Sequence, residues 1–462
     1  MPDLRLQLRE YVEDTIERVD VEDVAVAIDG PSPRRSVVRT PAFVFAAAAV
    51  AFLVVIGGTA WLLRGSGSSP AEEVTTTSLL QSTTSAPAST TAIPELDASP
   101  TGVWQRATSD GLGGEGEQYA WNVIEYAGGF IAVGQSSEPD SSENAAVWRS
   151  NDGYEWTPTG VAGLAETGHQ AMYGITFLGE QAIAVGRHDD EDGAVAAVWR
   201  STDGSSWERV LHDDAVFGPG GHQWMWSVTA AGPGVVAVGH QGSFDDRDVA
   251  IWYSTDGQTW HVSPSEEGLA VPGHQVMIAT AATEGVVVAA GYDARSGDRD
   301  AAIWISTDGV DWQQVESSDL VAPGDQQIMG ITATSTGFVA VGYDGASGDW
   351  DAAVWTSPDG LNWSRMNRHE ALGGDGDQIM NAIAETSDGF VAVGSITRDG
   401  LEQPAVWTTD DGVAWMLVDP DTVDASGGCS SVALTPTQIT TVGYTVSDTD
   451  ADAAVWTTPP QD

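Results

Sequence analysis

The sequence predicts an all-β fold, a seven-bladed β-propeller, that follows a single N-terminal transmembrane helix. Three observations lead to this prediction: a unit of about fifty residues recurs from residue 101 onward, an uncharged apolar run lies near the N-terminus, and a Ser/Thr/Pro-rich segment separates the two. Repeats of this length with several short strands each are typical of propeller blades. The lone cysteine, Cys429, excludes an internal disulfide, so burial of the core must hold the fold together.

Residues 1–40 are predicted to be a cytoplasmic segment that contains an amphipathic helix. Between Leu4 and Val24 the apolar residues recur at helical spacing, with acidic residues beside them. Such a helix can lie near the membrane or pair with a copy of itself; alternatively, it can dock a cytoplasmic partner.

Residues 41–64 contain the predicted transmembrane helix, whose uncharged run extends from Ala42 to Leu63. This run is long enough to cross the hydrocarbon core of a bilayer. Three arginines directly precede it, so the positive-inside rule places the N-terminus in the cytoplasm and the rest of the chain outside. Residues 65–100, rich in Ser, Thr, Ala and Pro, are predicted to form a flexible stalk. We therefore expect a single-pass protein of the cell membrane with an extracellular propeller.

Residues 101–462 are predicted to form the propeller. Each unit has a glycine that ends one apolar run and a tryptophan that ends the next, and neighbours in both series are 49 to 53 residues apart. The glycines are Gly134, Gly186, Gly239, Gly291, Gly342, Gly394 and Gly443, and the tryptophans are Trp148, Trp199, Trp252, Trp304, Trp355, Trp407 and Trp456. The units divide into four short strands of small and β-branched residues, which suit sheets that are covered on both faces.

The ends of this repeat region predict how the ring closes. The seventh unit stops shortly after Trp456, before its fourth strand, whereas residues 101–108 resemble an isolated fourth strand. We expect this N-terminal strand to complete the last blade, because pairing there removes an exposed sheet edge.

A short motif, S-x-D-G-x-x-W, lies between the third and fourth strands. Five units match it fully, starting at Ser150, Ser201, Ser254, Ser306 and Ser357, and a sixth copy starts at Thr409. The motif resembles the Asp-box, or BNR repeat, of sialidase-like propellers. The resemblance implies a structural turn that lies away from the ligand face. The structural aspartates would be Asp152, Asp203, Asp256, Asp308 and Asp359.

The net charge is strongly negative, −49 for the whole chain, and arginine replaces lysine throughout. Residues 65–462 carry 58 acids against 11 arginines, which gives −47. Such a surface repels nucleic acid and anionic lipid and attracts cations and basic partners, so nucleic-acid binding is excluded. The same excess of acids also suits solubility in a saline habitat, and arginine in place of lysine suits a GC-rich bacterial genome.

A polar pattern is predicted at one mouth of the central channel, where six inner strands begin with glutamine. The candidate residues there are Glu117, Gln118, His169, Gln170, His222, Gln223, His274, Gln275, Gln327, Asp377 and Gln378. This ring can hold a metal or a small polar ligand, with the three histidines as candidate metal ligands. Alternatively, the glutamines satisfy backbone groups between blades. Repetition in nearly every blade favours the structural interpretation, because functional sites are usually asymmetric.

Acidic pairs, Asp-x-Asp, precede the third strand of several units on the same face. They are Asp246 and Asp248, Asp298 and Asp300, Asp349 and Asp351, and Asp450 and Asp452. Paired carboxylates near backbone carbonyls suit calcium, the one cofactor that the sequence suggests. Aspartate is also common in turns before strands, and none of these loops has the twelve-residue calcium-loop pattern.

Taken as a set, these features favour a binding or scaffold module for a protein, a glycan or a cation on the acidic loop face, rather than an enzyme. The alternative that the resemblance implies is a sialidase-like glycoside hydrolase. Sialidases use an arginine cluster and a tyrosine–glutamate pair, and neither is identifiable in this sequence. A transmembrane sensor is a third alternative, although a single span and a flexible stalk transmit conformational change poorly unless the chain dimerises.

Overall fold

The computed structural model describes ten stretches of the chain: residues 104–137, 143–159, 168–190, 193–218, 222–232, 234–243, 246–265, 269–418, 426–447 and 450–459. The predicted cytoplasmic segment, transmembrane helix and stalk, residues 1–100, lie outside the described residues. Within the ten stretches, no helix combines the length and the apolar character needed to cross a membrane.

Seven four-stranded antiparallel sheets make up the structure, which confirms the predicted all-β propeller of seven blades. Six blades are built from four consecutive strands each. Blades 1 to 3 contain β2 (Gln118–Tyr126), β3 (Gly129–Ser136), β4 (Asn144–Ser150) and β5 (Trp156–Pro158); β6 (Gln170–Leu178), β7 (Gln181–Asp190), β8 (Gly193–Ser201) and β9 (Glu208–Arg209); and β10 (His222–Ala231), β11 (Gly234–Ser243), β12 (Asp246–Ser254) and β13 (Trp260–Val262).

The remaining blades follow the same order from the inner to the outer strand. Blades 4 to 6 contain β14 (Gln275–Thr283), β15 (Val286–Asp293), β16 (Asp300–Ser306) and β17 (Trp312–Val315); β18 (Gln326–Thr334), β19 (Gly337–Asp344), β20 (Asp351–Ser357) and β21 (Ser364–Arg365); and β22 (Gln378–Glu385), β23 (Phe390–Arg398), β24 (Leu401–Thr409) and β25 (Met416–Leu417). Blade 7 contains β26 (Gly427–Thr435), β27 (Gln438–Val446) and β28 (Ala451–Thr457), together with β1 (Gln105–Arg106) from the other end of the chain.

The closing strand, β1, pairs antiparallel with β28. Gln105 lies opposite Thr457 and Arg106 opposite Trp456. Trp104, which precedes β1, is only 2% exposed. It therefore takes the place that Trp363 and Trp415 hold before the outer strands of blades 5 and 6.

The hydrophobic core lies between neighbouring sheets rather than inside any one of them. One cluster joins Ile131 and Val133 of blade 1 to Ile175, Ala184 and Trp199 of blade 2, and similar clusters join the other blades. Small residues alternate with Val and Ile along the strands, so sheets approach each other closely and the third-strand tryptophans are fully buried.

Short helical turns lie in three of the loops that lead into a blade: α1 (Asp214–Phe217) and the 3₁₀ turns η1 (Ser318–Leu320) and η2 (Glu370–Leu372). Third-strand tryptophans hold them in place. The Trp252 indole donates to the Val216 carbonyl at 2.9 Å, and Trp407 donates to Ala371 at 2.9 Å. These bonds fix the loops on the face where the inner strands begin.

The S-x-D-G-x-x-W segments form one repeated turn on the opposite face. In blade 4 the Ser306 hydroxyl accepts the Gly309 N–H at 2.8 Å, while Asp308 Oδ1 accepts two further backbone N–H groups, also at 2.8 Å. Gly309 has φ +76°, a conformation that favours glycine. In blade 3 the equivalent backbone bonds, from Thr259 and Gln258, lower the pKa of Asp256 to about 2. The motif therefore acts as a turn that is satisfied by its own side chains.

A β-bulge interrupts every inner strand at the same height, opposite the glycine that marks each unit. In blade 5 the register shifts between Ile328 and Gly330, next to Gly342. A Cβ atom on Gly342 would overlap the carbonyl oxygen of Gln327, and the other six marker glycines have the same close contact with their own inner strands. The glycine is thus needed for close approach of two backbones, and the bulge turns one extra side chain toward the channel.

Candidate functional site

The predicted channel-mouth glutamines do begin the inner strands, with one shift of register. Gln118, Gln170, Gln223, Gln275 and Gln378 occupy equivalent positions, each paired with the residue two places after a marker glycine. In blade 5 that position belongs to Gln326, which pairs with Asp344, and not to the predicted Gln327. Two adjacent glutamines occur there, so the spacing alone could not choose between them.

The ring glutamines are buried and bond mainly to their own loops. The side-chain amide of Gln275 donates to the Gly273 carbonyl at 3.0 Å, and that of Gln378 donates to Gly376 at 2.6 Å. These two contacts satisfy backbone carbonyls, whereas the buried side-chain amide of Gln170 has no hydrogen-bond partner among the described residues.

Three of the residues before the glutamines connect neighbouring blades. His169 Nδ1 accepts the Glu143 N–H at 3.3 Å, His222 Nδ1 accepts the Ala194 N–H at 3.4 Å, and Asp377 accepts the Trp350 N–H at 3.0 Å. Glu117 and His274 instead bond within their own blades: the Glu117 N–H donates to Ser137 Oγ, and the His274 carbonyl accepts the Ala294 N–H. The structure therefore places these candidates in separate contacts, some between blades and some within one.

The Asp-x-Asp pairs form a second set of inter-blade bonds. Their carboxylates accept a glycine N–H from the next blade: Asp246 from Gly273 (2.9 Å), Asp298 from Gly324 (3.1 Å), Asp349 from Gly376 (3.2 Å) and Asp452 from Gly114 (3.4 Å). Of the other members, Asp300 and Asp351 accept serine hydroxyls at 2.8 Å, Asp450 accepts the Ala451 N–H at 2.9 Å, and burial raises the pKa of Asp248. Among the residues that the structure describes, no three His, Cys, Asp or Glu side chains are grouped to hold a metal ion.

We expect Asp349→Ala to lower the free energy of unfolding by about 1 kcal/mol, because the Gly376 N–H loses its acceptor. Asp349→Asn, which keeps an acceptor oxygen, should lose less. Urea unfolding of the full chain measures both. Millimolar calcium should leave all three midpoints unchanged; a calcium-dependent rise in the wild type alone would instead make these aspartates metal ligands.

The blades differ most at the bulge positions, where the side chains meet around the channel axis. The seven residues there are Trp121, Tyr173, Trp226, Ile278, Met329, Asn381 and Ser430, one from each blade, and they line a central cavity of about 230 Å³. Large rings come from blades 1 to 3, and polar side chains come from blades 6 and 7. This site breaks the repeat symmetry, as binding sites commonly do.

An aromatic arc extends from the cavity along blades 7, 1, 2 and 3; it consists of Tyr444, Tyr119, Trp121, Tyr173, Trp224 and Trp226. Tyr119 and Trp121 stack with their centroids 5.2 Å apart, and Tyr173 packs against Trp226 at 4.6 Å. The buried guanidinium of Arg187 lies 4.3 Å above the Trp224 ring and forms ion pairs with Glu143 and Asp189. The sequence alone does not predict this arc, because one bulge residue per blade gives no local signal.

A tyrosine–glutamate pair also lies at this mouth. The Tyr444 hydroxyl donates to Glu402 Oε2 at 3.2 Å, and its ring contacts Tyr119 edge-on at 5.4 Å. No tyrosine–glutamate pair is identifiable from the sequence alone. The two residues are 42 positions apart and belong to different blades, so spacing could not reveal them.

His240 is a hydrogen-bond partner of the aromatic arc. Its Nδ1 accepts the Trp226 indole N–H at 3.0 Å, in the way that Gln135 accepts the Trp121 indole in blade 1 at 3.1 Å. Burial holds the pKa of His240 well below its usual value, and the neighbouring Arg247, His222 and His274 lower it further. The imidazole is therefore neutral and remains an acceptor.

This buried imidazole predicts acid sensitivity. Below about pH 6.5 the unfolded chain protonates this histidine and the folded one does not, so stability falls as the pH falls, by at most about 1.4 kcal/mol per pH unit. His240→Gln reproduces the Gln135 contact without a titrating group. Urea unfolding at pH 7.5 and 5.5 should show a smaller loss in this variant; an equal loss in both proteins would contradict the assignment.

No protein-family model matches the chain, and no curated protein sequence matches it. Solved structures with a similar fold include YjhT (TM-score 0.41, 10% identity, covering 67% of this chain and 99% of that one), Sqt1 of Chaetomium thermophilum (0.44, 11%, 74% and 82%) and the sialidase of Trypanosoma rangeli (0.41, 11%, 77% and 59%). Sialidase and glycoside hydrolase propellers are thus among its structural neighbours. At these identities the likeness concerns the fold alone.

Proposed function

We propose that this protein is a membrane-anchored, extracytoplasmic propeller of the Asp-box type that binds a ligand at the mouth of its central channel. One observation carries the proposal: the side chains that differ most between blades meet in one place, around the central cavity. Elsewhere on this face the Asp-x-Asp pairs bond between blades and most ring glutamines bond to their own loops, whereas the aromatic arc is an asymmetric surface.

Ligand binding at this site is tested with the full chain in detergent micelles. Intrinsic tryptophan fluorescence is followed during titration with a panel of glycans, small cations and basic peptides, since Trp121 and Trp226 line the cavity. We expect a saturable change that is lost in Trp226→Leu and retained in Trp350→Leu, because Trp350 stacks on Tyr343 on the same face but outside the cavity. Equal signals in the two variants would show that the ligand binds elsewhere.

Membrane anchoring is tested separately in intact cells. The charge pattern around residues 41–64 supports an extracellular propeller, so protease added to intact cells should cut the predicted stalk, residues 65–100, and release the propeller without lysis. Protection of the propeller until the cells are lysed would reverse the proposed topology.

A glycoside hydrolase is the second candidate, and the Tyr444–Glu402 hydrogen bond is the observation that favours it. Glu402 would take the hydroxyl proton of Tyr444, and the Tyr444 oxygen would attack the anomeric carbon of an aryl glycoside as its glycosidic C–O bond breaks. The aryloxide would leave and take a proton from water, and a second water would then hydrolyse the glycosyl–tyrosine bond and return the proton to Tyr444. Release of fluorophore from aryl glycosides, abolished in Tyr444→Phe while ligand binding persists, would establish this activity. Equal release by wild type and Tyr444→Phe would exclude this pair as its source.

A further inference from the structure

The central cavity has a lining without formal charge. Among the described residues that line it there is no Asp, Glu, Arg or His; they present aromatic rings, small aliphatic groups, hydroxyls and amides. Its volume of about 230 Å³ is small, since a cavity of about 150 Å³ holds benzene. The space therefore suits one compact group rather than an extended chain.

Most hydrogen-bond donors that face this cavity are already engaged. The indole N–H groups of Trp121 and Trp226 are used by Gln135 and His240. The Asn381 amide donates to the Cys429 carbonyl at 2.9 Å, and the Ser431 hydroxyl donates to Asn122 at 3.4 Å. An anion needs donors, and these four engaged groups are not available to it.

Three of the lining side chains are aromatic. Trp121, Tyr173 and Trp226 all contribute to the lining, and their centroids are 6.3 Å and 4.6 Å apart along the series. The face of an aromatic ring carries negative electrostatic potential, which attracts a cation placed above it. Tryptophan provides the strongest such attraction.

The net charge of the propeller also favours a cationic ligand. Residues 101–462 contain 54 acids and 11 arginines, a net charge of −43. A field of this sign concentrates cations near the molecule and disfavours anions. Charge complementarity and the engagement of the four donor groups thus point to the same class of ligand.

We propose that the cavity binds a quaternary ammonium group, of the size of trimethylammonium, against the rings of Trp121, Tyr173 and Trp226. This inference rests on the proposed ligand-binding function and specifies the chemistry of the ligand. A quaternary ammonium has no N–H to satisfy and loses little solvation on entering an aromatic site, so it matches a cavity that offers rings in place of carboxylates.

The test compares three probes of nearly equal shape: choline, the neutral 3,3-dimethylbutan-1-ol and the anionic 3,3-dimethylbutanoate. Each is titrated into the full chain in maltoside micelles, with tryptophan fluorescence and calorimetry as readouts. We expect choline to bind at least about tenfold more tightly than the neutral probe, a factor within the range of cation–π contributions, and the anion not to bind. Salt should weaken choline binding only.

Variants localise the site. Trp226→Leu removes one ring and should weaken choline binding about tenfold, whereas Trp226→Phe keeps a ring and should retain most of it. Trp350→Leu, outside the cavity, should bind as the wild type does. Glycerophosphocholine in a parallel titration distinguishes a lipid headgroup, which it would mimic, from a free cation, and tight binding of either supports the inference.

The possible binding results distinguish failure of this inference from failure of the proposed function. Equal binding of choline and its neutral isostere, lost in Trp226→Leu, would overturn the cation assignment and leave a ligand site in the cavity. Binding of the anionic probe would overturn it as well. If no probe in this test or in the wider panel acts through the cavity, both proposals fail.

Discussion

Trp104→Ala is expected to destabilise the protein by roughly 3–5 kcal/mol, the cost of removing a buried tryptophan from a packed core. Trp104 is 2% exposed and packs in one cluster with Val391, Cys429 and Trp456. It is also the residue that anchors the closing strand, because β1 itself contributes only two paired residues, Gln105 and Arg106. The substitution therefore affects both the core and the closure of the ring.

A matched variant separates these two effects. Trp415 occupies the equivalent place in blade 6 and is 1% exposed, but its outer strand is continuous with the rest of its blade. Trp415→Ala should lose a similar amount of stability in urea. Only Trp104→Ala should also make the segment around residue 110 cleavable by protease under native conditions. Equal protection of this segment from protease in the two variants would show that Trp104 does not secure the pairing of β1 with β28.

Gly342→Ala should destabilise the protein by about 3 kcal/mol, at the upper end of the usual cost of overpacking. The new methyl group would meet the Gln327 carbonyl oxygen, which is backbone and cannot move aside as a side chain would. Relieving this overlap requires the bulge of β18 to shift. The same bulge directs Met329 into the cavity. We expect a lower urea midpoint together with weaker ligand binding.

Gly114→Ala is the control for this prediction. A Cβ atom there comes no closer than 3.8 Å to the Gln118 side chain. Its unfolding free energy should stay within about 0.5 kcal/mol of the wild type. If Gly342→Ala proved equally mild, close backbone approach would not be the reason for the repeated glycine.

The fold was predictable because its signals repeat. A marker glycine every fifty or so residues reflects a contact that recurs in every blade, and the S-x-D-G-x-x-W turn satisfies its own backbone through local bonds such as Ser306 to Gly309. Local signals of this kind need no tertiary information. The blade count therefore followed from the spacing of the repeats.

The candidate site was harder to predict, because it consists of the residues in which the blades differ. Trp121, Tyr173 and Met329 are single side chains at the bulges of three different blades, and only closure of the propeller brings them together. Tyr444 and Glu402 meet across two blades. The repeated polar residues were easier to notice, yet the observed bonds of His169, Asp349 and their equivalents link blade to blade.

The route by which the chain enters the propeller has a mechanical consequence. The N-terminal segment leads directly into β1, so tension along it reaches the Gln105 and Arg106 pairing before it reaches any other strand. Arg106 adds a side-chain bond to Thr445 at 2.8 Å, and the Ala107 N–H donates to Val455 at 2.9 Å. Each of the other six sheets is formed by consecutive strands, and all six follow β1 along the chain. Under mechanical load, β1 would thus separate from blade 7 first, while blades 1 to 6 keep their internal strand pairing.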